Sequence, residues 1–325
     1  MHSVSTRVLV TGSMGCLGAW TIKHLLEHGH TPVGFDLSGD RRRVEALLPA
    51  DELEAVRFVR GDLTDQDQVR NVVLDNGCER IIHLAALQVP FCRANPSLGV
   101  SVNVQGTVHV FEAAKAAGIS HLAYASSIAV YGPDSDYASA NGPSGLISNA
   151  HAAKRPRTIY GVTKVANEGT AEVYWRDHQL SSVALRPYTV YGVGRDQGVT
   201  SEPSQAMAAA ARGEDFHISF GGEMQFHFAS DVARQFIDAA FARFKDPGAS
   251  RGARVFDLGG PVVSVADVAA LIERARPGVK VTVGDAGLPF PRGFDDADLR
   301  GTVEHVYQTP LEDGVRQTIA ALQAA

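Results

Sequence analysis

In Tyr160-Gly161-Val162-Thr163-Lys164 a phenol and an ammonium stand four residues apart at the start of a long helix-compatible segment. Positions i and i+4 share a helix face, so the two groups can enter one cleft. To act as a base near neutrality the phenol must fall roughly three units from its ordinary pKa of about 10, which is about 4 kcal/mol in favour of the phenolate. A fixed cation one turn away is a direct source of that field. The same spacing also suits a pair that faces solvent, so its meaning rests on the elements around it.

The first of those elements reads as a nucleotide cradle. Residues 7–10 form a short β-branched and leucine run, typical of a strand buried on both faces, and lead into Thr11-Gly12-Ser13-Met14-Gly15-Cys16-Leu17-Gly18. A helix over residues 19–27 follows, amphipathic through Trp20, Ile22, Leu25 and Leu26 and ended by His28-Gly29. Glycine at these three places permits a tight turn, the approach of backbone amides to a pyrophosphate and close helix packing, with the helix N-terminus facing the anion. A plain glycine-rich turn is the alternative. The context favours the cradle, because residues 31–36 make a second strand ending in Asp36, placed to accept adenosine ribose hydroxyls and so to prefer NAD over NADP. Arg41-Arg42-Arg43 could instead reach a 2′-phosphate, or lie on a solvated helix face.

Strand and helix then keep alternating. Residues 56–59 read as a strand running into Gly61-Asp62-Leu63, and residues 64–74 as a helix capped by Thr64 or Asp65. Residues 80–86 form a buried strand ending in small residues, 103–117 a helix, and 121–127 a strand that continues into Ile128-Ala129-Val130-Tyr131-Gly132. Repeated β-α units imply an α/β fold with a parallel, doubly wound sheet and ligands at the carboxyl ends of its strands.

Composition excludes several other classes. A net charge of -6 over 325 residues, with one short basic run, leaves no footprint for nucleic acid. Cys16, Cys78 and Cys92 match neither a disulfide framework nor a metal or redox spacing, so no metal is expected, and they fit a reducing cytoplasm. No stretch reaches the ~18 apolar residues of a membrane span, and the N-terminus has no signal-peptide apolar region.

Taken in order, Thr11-Gly12-x-x-Gly15-x-x-Gly18, Asp36, Gly61-Asp62-Leu63, His83-Leu84-Ala85-Ala86, Asn103, Ser126-Ser127, Tyr160-x-x-x-Lys164 and Leu185-Arg186-Pro187 make the chain resemble an extended short-chain dehydrogenase/reductase, the group of NAD-dependent sugar epimerases and dehydratases. The resemblance covers almost the whole length. It implies a Rossmann domain over residues 1–188 with a return segment at 226–260, and a smaller substrate domain over 189–225 and 261–325. It implies that Gly12, Gly15 and Gly18, with Met14, Cys16 and Leu17 between them, form the pyrophosphate turn. Asp36 would bind the adenosine ribose, Asp62 and Leu63 border the adenine, and Leu84, Ala85 and Ala86 line the cofactor. Pro187, Thr189 and Val190 would lie beside the nicotinamide, with Asn103 supporting the site; a buried asparagine bonding a neighbouring strand accounts for Asn103 equally well. By the same resemblance Tyr160 transfers the proton, Lys164 holds the nicotinamide ribose and lowers the phenol pKa, and Ser127 bonds the reacting oxygen. Ser126 is the neighbouring candidate for that role, though the family's Ser-x-x-Val-Tyr-Gly pattern favours Ser127, and strand-end bonding to backbone is the alternative for both serines.

The implied chemistry is hydride transfer between a substrate C–H and NAD, coupled to proton transfer at Tyr160. The leading expectation is a dehydrogenase for a small sugar-like or polyhydroxylated substrate; the alternatives are a nucleotide-sugar 4-epimerase and a non-catalytic NAD-binding protein. Gln88, Ser127, Ile128, Tyr188, Arg195 and Arg292 are the candidate substrate contacts. Two departures bear on the choice. Met224 stands seven residues before Asp231, where nucleotide-sugar epimerases commonly carry a diphosphate-binding arginine, and Ile128 follows Ser127, where dehydratases carry an acid. Loop 192–201 would border the substrate, or pair its Arg and Asp locally. Asp231 is expected to cap the helix after it, Ser264 the helix over 265–275, and residues 132–157, with Pro133, Pro143 and Pro156, to form an irregular loop. The resemblance also implies a homodimer through the helix after Asn103 and the Tyr160 helix, where Ala166, Gly169 and Ala171 permit close packing, though they suit burial within one chain as well.

Overall fold

Val8 and Val10 pack on one face of a sheet and Leu9 on the other, all three wholly buried, because their strand has a neighbour on each side and helices above and below. The structure is a computed structural model that describes residues 5–137, 146–148 and 152–324. Its main sheet has seven parallel strands: β1 (Arg7–Thr11), β2 (Thr31–Asp36), β3 (Arg57–Arg60), β4 (Arg80–His83), β5 (His121–Ala125), β6 (Ser181–Arg186) and β7 (Ala253–Asp257). Their order across the sheet is β7-β6-β5-β4-β1-β2-β3. The chain reverses direction between β1 and β4, and that switch point opens a crevice at the carboxyl ends of the strands. The expected doubly wound, Rossmann-like architecture is therefore present.

Helices Cys16–Glu27 and Ala229–Ala240 cover one face through Ile22, Leu25, Val232 and Phe236. Gln66–Asp75, Gly106–Ala116 and Ile159–His178 cover the other, packing Val69, Val73, Phe111 and Tyr174 against Leu9, Phe35 and Tyr124. A third core joins Tyr131, Tyr188 and Tyr191 to Met207, Met224, Ile272, Phe294 and Ile319. Here Glu223–Phe228 pairs in parallel with Thr189–Tyr191 and antiparallel with Val262–Ser264.

Local chemistry explains where element ends differ from expectation. Asp65, rather than Thr64, caps Gln66–Asp75 by accepting from the amides of Asp67 and Gln68. The helix expected from Asn103 is preceded by two short helices, Val89–Ala94 and Pro96–Val100, each admitting a proline in its first turn, and by a π-helical turn at Ser101–Gln105. Ser264 caps Val265–Ala275 as expected. Asp231 does not cap its helix. Phe228 holds the cap position, and Asp231, in the first turn, accepts from the Thr309 amide and ties in the C-terminal segment. Of the 132–157 segment, a 3₁₀ turn at Asp134–Asp136 and the strand Ile147–Ser148, paired with Phe294–Asp295, are described; Pro143 lies outside the described residues. Among the described residues no helix is long and apolar enough to cross a membrane, and no group of three or more His, Cys, Asp or Glu side chains could hold a metal. All three cysteines are free.

Candidate active site

The glycine turn lies where β1 meets the switch-point crevice. Gly15 occupies the N-cap of Cys16–Glu27 and offers no side chain, so the first-turn amides of that helix keep their donors for an outside acceptor. A Cβ at Gly18 would stand 2.1 Å from the Gly12 carbonyl oxygen, so only glycine lets the helix close on the turn. Asp36, at the end of β2, reaches across to this turn: Oδ2 accepts from the Met14 amide at 3.0 Å and Oδ1 from the Ser38 amide at 2.9 Å. Leu84 and Ala85 continue β4 beside it, held by Thr11 through its carbonyl and hydroxyl. Asp62 turns inward to accept from the Thr64 amide, and Leu63 is buried. An anion-ready helix end, a carboxylate one strand away and a flat wall of small residues fit a dinucleotide.

Tyr160 is set by contacts on both sides of its helix. Thr158 caps Ile159–His178 by accepting from the Gly161 amide at 3.0 Å. A Cβ at Gly161 would fall 2.1 Å from the Ala129 carbonyl, so glycine here brings the helix against the turn that follows Ser127. The Ser127 side chain hydrogen-bonds the Tyr160 phenol and accepts from the Ala129 amide. Asn103 braces the other side: its amide group bonds both backbone groups of Leu87 and donates to Thr163 Oγ1 at 3.2 Å, and Thr163 in turn donates to the Tyr160 carbonyl. Both readings of Asn103 thus describe one clamp.

The electrostatics differ from the sequence expectation. Burial of its hydroxyl end pushes the Tyr160 phenol up, and what opposes this is the Ser127 hydrogen bond and the charge of Arg195. Lys164 is 3% exposed, lies 5.5 Å from the centre of the Tyr160 ring, and spends its ammonium on the Ala125 carbonyl at 2.6 Å. Burial lowers its pKa to about 8. In the chain by itself the lysine is therefore anchored to the end of β5, and the expected depression of the phenol is absent.

One turn beyond Lys164 lies a residue that the sequence reading missed. Glu168 takes a two-pronged ion pair from Arg186, at 2.7 Å on each oxygen, and also accepts from Ser126 and Lys154 at 2.6 Å. Arg186 in turn reaches Asp257 and Tyr131. Ser126 thus bonds this carboxylate rather than backbone. The network welds the Tyr160 helix to the ends of β5, β6 and β7. Its signal was the i+4 spacing from Lys164 to Glu168, which places both on one buried face.

The substrate-side candidates are less concentrated. Ile128 is buried, with its amide on the Pro187 carbonyl, and Tyr188 packs edge-on against Phe290 and Phe294. Val190 is buried, and Thr189 donates to the Met224 sulfur, itself inside the third core. Gln88 caps the short helix Val89–Ala94, with Oε1 buried and unpartnered among the described residues. Arg292 is exposed and anchored by its backbone amide to Asp134, while neighbouring Ala286, Gly287 and Leu288 line an open cleft of about 650 Å³. That cleft also presents Asp196 and Glu202, and among the described residues its lining holds no lysine or arginine.

Loop 192–201 is not closed by local pairing. Asp196 accepts from Arg43 at 2.6 Å and Arg42 at 3.0 Å, and Arg43 also donates to the Met14 carbonyl in the glycine turn. Trp20 and Cys16 donate to the Val193 carbonyl. Arg42 and Arg43 therefore join the two sides of the crevice, Arg42 from the exposed face that was expected, while exposed Arg41 stacks on Phe58 at 4.6 Å.

Comparison with known proteins agrees with this geometry. Residues 8–249 match the family model described as the NAD dependent epimerase/dehydratase family. The chain is 30% identical to the UDP-glucose 4-epimerase of Mycolicibacterium smegmatis over 261 residues, 78% of this chain and 77% of that one. It is 30% identical to Protein CapI of Staphylococcus aureus over 192 residues, 57% of this chain and only about half of that one, 54%. A partial-consensus L-threonine 3-dehydrogenase superposes with a TM-score of 0.83 over 98% of this chain and 100% of its own, at 20% identity, a likeness of fold alone. With a glycine cradle, a clamped Ser127-Tyr160-Lys164 cluster and a family match over most of its length, the chain belongs to the NAD-dependent epimerase/dehydratase family of extended short-chain dehydrogenases/reductases.

Proposed function

We propose that the chain is an NAD-dependent oxidoreductase acting at a secondary alcohol or carbonyl of a small, sugar-like or polyhydroxylated substrate. The observation that carries the reaction type is the clamped Ser127-Tyr160-Lys164 cluster, and the one that bears on the substrate is the open cleft beside loop 192–201, whose lining holds Asp196 and Glu202 while Met224 is enclosed in the core. A nucleoside diphosphate needs cationic, preferably bidentate, partners, and these side chains supply none. NAD, when bound, accepts or returns the hydride. Tyr160 takes the hydroxyl proton as the carbonyl forms, Ser127 donates to the same oxygen, and Lys164, poised at the end of β5, holds the ribose and places its charge near the phenolate.

The glycine turn and Asp36 would hold the cofactor with Leu63, Ala85, Ala86 and the Pro187–Val190 segment. Because Asp36 would accept from ribose hydroxyls and repel a 2′-phosphate, NAD should bind at least about tenfold more tightly than NADP, or roughly 1.4 kcal/mol; titration by protein fluorescence reads the ratio. Net NADH absorbance during turnover of a sugar, sugar-acid and nucleotide-sugar panel tests the function itself. Interconversion of a nucleotide sugar with no net NADH marks the epimerase, the reading favoured by the UDP-glucose 4-epimerase relative. Firm NAD binding without turnover of any member marks a binding protein.

We divide the chain into a Rossmann unit (1–188 with 226–260) and a substrate unit (189–225 with 261–325). We also place it in the cytoplasm, in keeping with its free cysteines, and infer a homodimer. Leu98, Val100, Val162 and Val173 are 47–49% exposed around the Tyr160 helix, and nothing lies within 4 Å of a Cβ at Gly169, so a second copy could pack closely there. Light scattering at micromolar concentration checks the dimer.

A further inference from the structure

Loop 192–201, part of which lines the open cleft, turns one guanidinium inward. Asp196, the next residue, points away to Arg42 and Arg43, so it leaves the Arg195 charge unmatched. Arg195 Nη2 donates to Thr200 Oγ1 over a long 3.3 Å, and Nε is buried with no hydrogen-bond partner among the described residues. Gln88 approaches from the segment after β4 with its own Oε1 buried and unpartnered. The two side chains meet at Gly198: a Cβ built there would lie 2.2 Å from Gln88 Oε1 and 3.1 Å from Arg195 Nη2. Gly198 itself lines the cleft, so the two side chains lie directly behind its wall. The Arg195 charge acts both on the Tyr160 phenol and on Cys16 in the glycine turn.

A buried donor on a cation and a buried acceptor on an amide, each without a partner among the described residues, are costly unless a ligand completes them. The ligand must accept at Arg195 and donate at Gln88. A carboxylate fits the planar fork, and a hydroxyl fits the amide oxygen. A phosphate chain fits poorly, because beyond the single guanidinium the lining holds no lysine or arginine among the described residues and carries the Glu202 carboxylate, while Asp196 is taken up by Arg42 and Arg43. We propose that Arg195 and Gln88 form a subsite for a polyhydroxylated carboxylic acid, with its carboxylate on the guanidinium and a hydroxyl on Gln88 Oε1. This refines the substrate class of the oxidoreductase reading and rests on it only for what happens at Tyr160.

The test measures equilibrium binding to the NAD-loaded full chain for matched pairs in which the acid and the polyol share one configuration: D-glycerate with glycerol, D-gluconate with D-glucitol, D-galactonate with D-galactitol. At least one acid should bind about tenfold more tightly than its polyol, as a desolvated charge-assisted contact would give. Arg195→Gln should cut that preference to about threefold or less while polyol binding persists; Arg195→Lys should keep part of it; Gln88→Glu should abolish it by like-charge repulsion. Unchanged melting temperature and NAD affinity establish that each variant is folded. Equal binding of every acid and its polyol, or a preference that survives Arg195→Gln, overturns the subsite. If Tyr160-dependent NADH forms from polyols with no acid preference, the subsite fails and the oxidoreductase reading stands. If acids bind through Arg195 yet no member reduces NAD, the subsite stands and that reading fails.

Discussion

The two walls of the crevice are built on different principles. The cofactor wall is backbone: strand ends, a helix N-terminus and small residues whose side chains stay out of the way, with a Gly18 Cβ blocked at 2.1 Å. The opposite wall, which we propose for the substrate, is side chains held by partners far along the chain, as when Asp196 reaches Arg42 and Arg43 across 154 and 153 positions. A backbone wall dictates residue types at fixed spacing. A side-chain wall dictates only complementarity, which many sequences satisfy. Tyr160 stands where the two meet, and substitutions around it can separate their contributions.

The largest effect should come from Tyr160→Phe. It removes one oxygen and keeps the ring, so turnover should fall by a factor of about 10² to 10⁴ while NAD affinity holds. Retention of more than about a tenth of wild-type turnover, with chemistry limiting the rate, would mean that the phenol does not move the proton. Glu168→Ala tests the weld beneath it. Glu168 and Arg186 are 2% and 0% exposed, so removing the carboxylate leaves a buried guanidinium short of its partner and should cost about 3–5 kcal/mol of unfolding free energy, read by denaturant titration. A loss below about 1 kcal/mol would mean that Asp257 and Tyr131 satisfy the arginine alone.

Acid titration compares the walls through one histidine in each. His83, between Thr11 and Thr107 behind the cofactor wall, is lowered by burial to about 3; His227, in the strand that returns to the substrate side, is lowered by burial to about 4. Both start from an ordinary value of 6.5. Between these limits the unfolded chain binds protons that the folded chain refuses, so stability is complete above about pH 6.5 and falls as pH drops, by up to about 1.4 kcal/mol per pH unit for each histidine. His227→Phe, which removes one of them, should lower the slope by that amount; an unchanged slope in denaturant midpoints would show that His227 escapes to water when protonated.

How much of this was legible follows from the same contrast. The positions of the glycines, Asp36, Tyr160 and Lys164 could be read because each answers to a local rule, a turn, a strand end or a shared helix face, whereas Ser127 was singled out by the family resemblance. The Lys164 ammonium bonded to Ala125, Asp231 bonded to Thr309 and the partners of Glu168 in the Arg186-Asp257 network could not, since these contacts span 39, 78 and up to 71 positions, and the i+4 spacing from Lys164 places Glu168 on a buried face without saying what it meets there. Arg292 shows the reverse error. It was a candidate substrate contact, and the structure leaves it exposed while Leu288 and its predecessors line the cleft.

The smallest expected effect falls on the joint between the walls. Asp196→Asn keeps the shape of the side chain and its capacity to accept, and removes the charge that draws Arg42 and Arg43. Asp196 is 43% exposed, so the cost in stability should stay below about 1 kcal/mol. Arg43 would still hold the Met14 carbonyl, and the Val193 carbonyl would still take Trp20 and Cys16, so the cofactor wall keeps its shape. NAD affinity should therefore stay within about twofold while the substrate KM rises several-fold, because only the tip of loop 192–201 is loosened. Salt offers an internal control. About 0.5 M NaCl should raise the wild-type KM toward that of the variant and leave the variant's nearly unchanged, since the pair is exposed enough to be screened. If Asp196→Asn instead weakens NAD and substrate equally, the loop is part of the cofactor wall, and the two walls act as one.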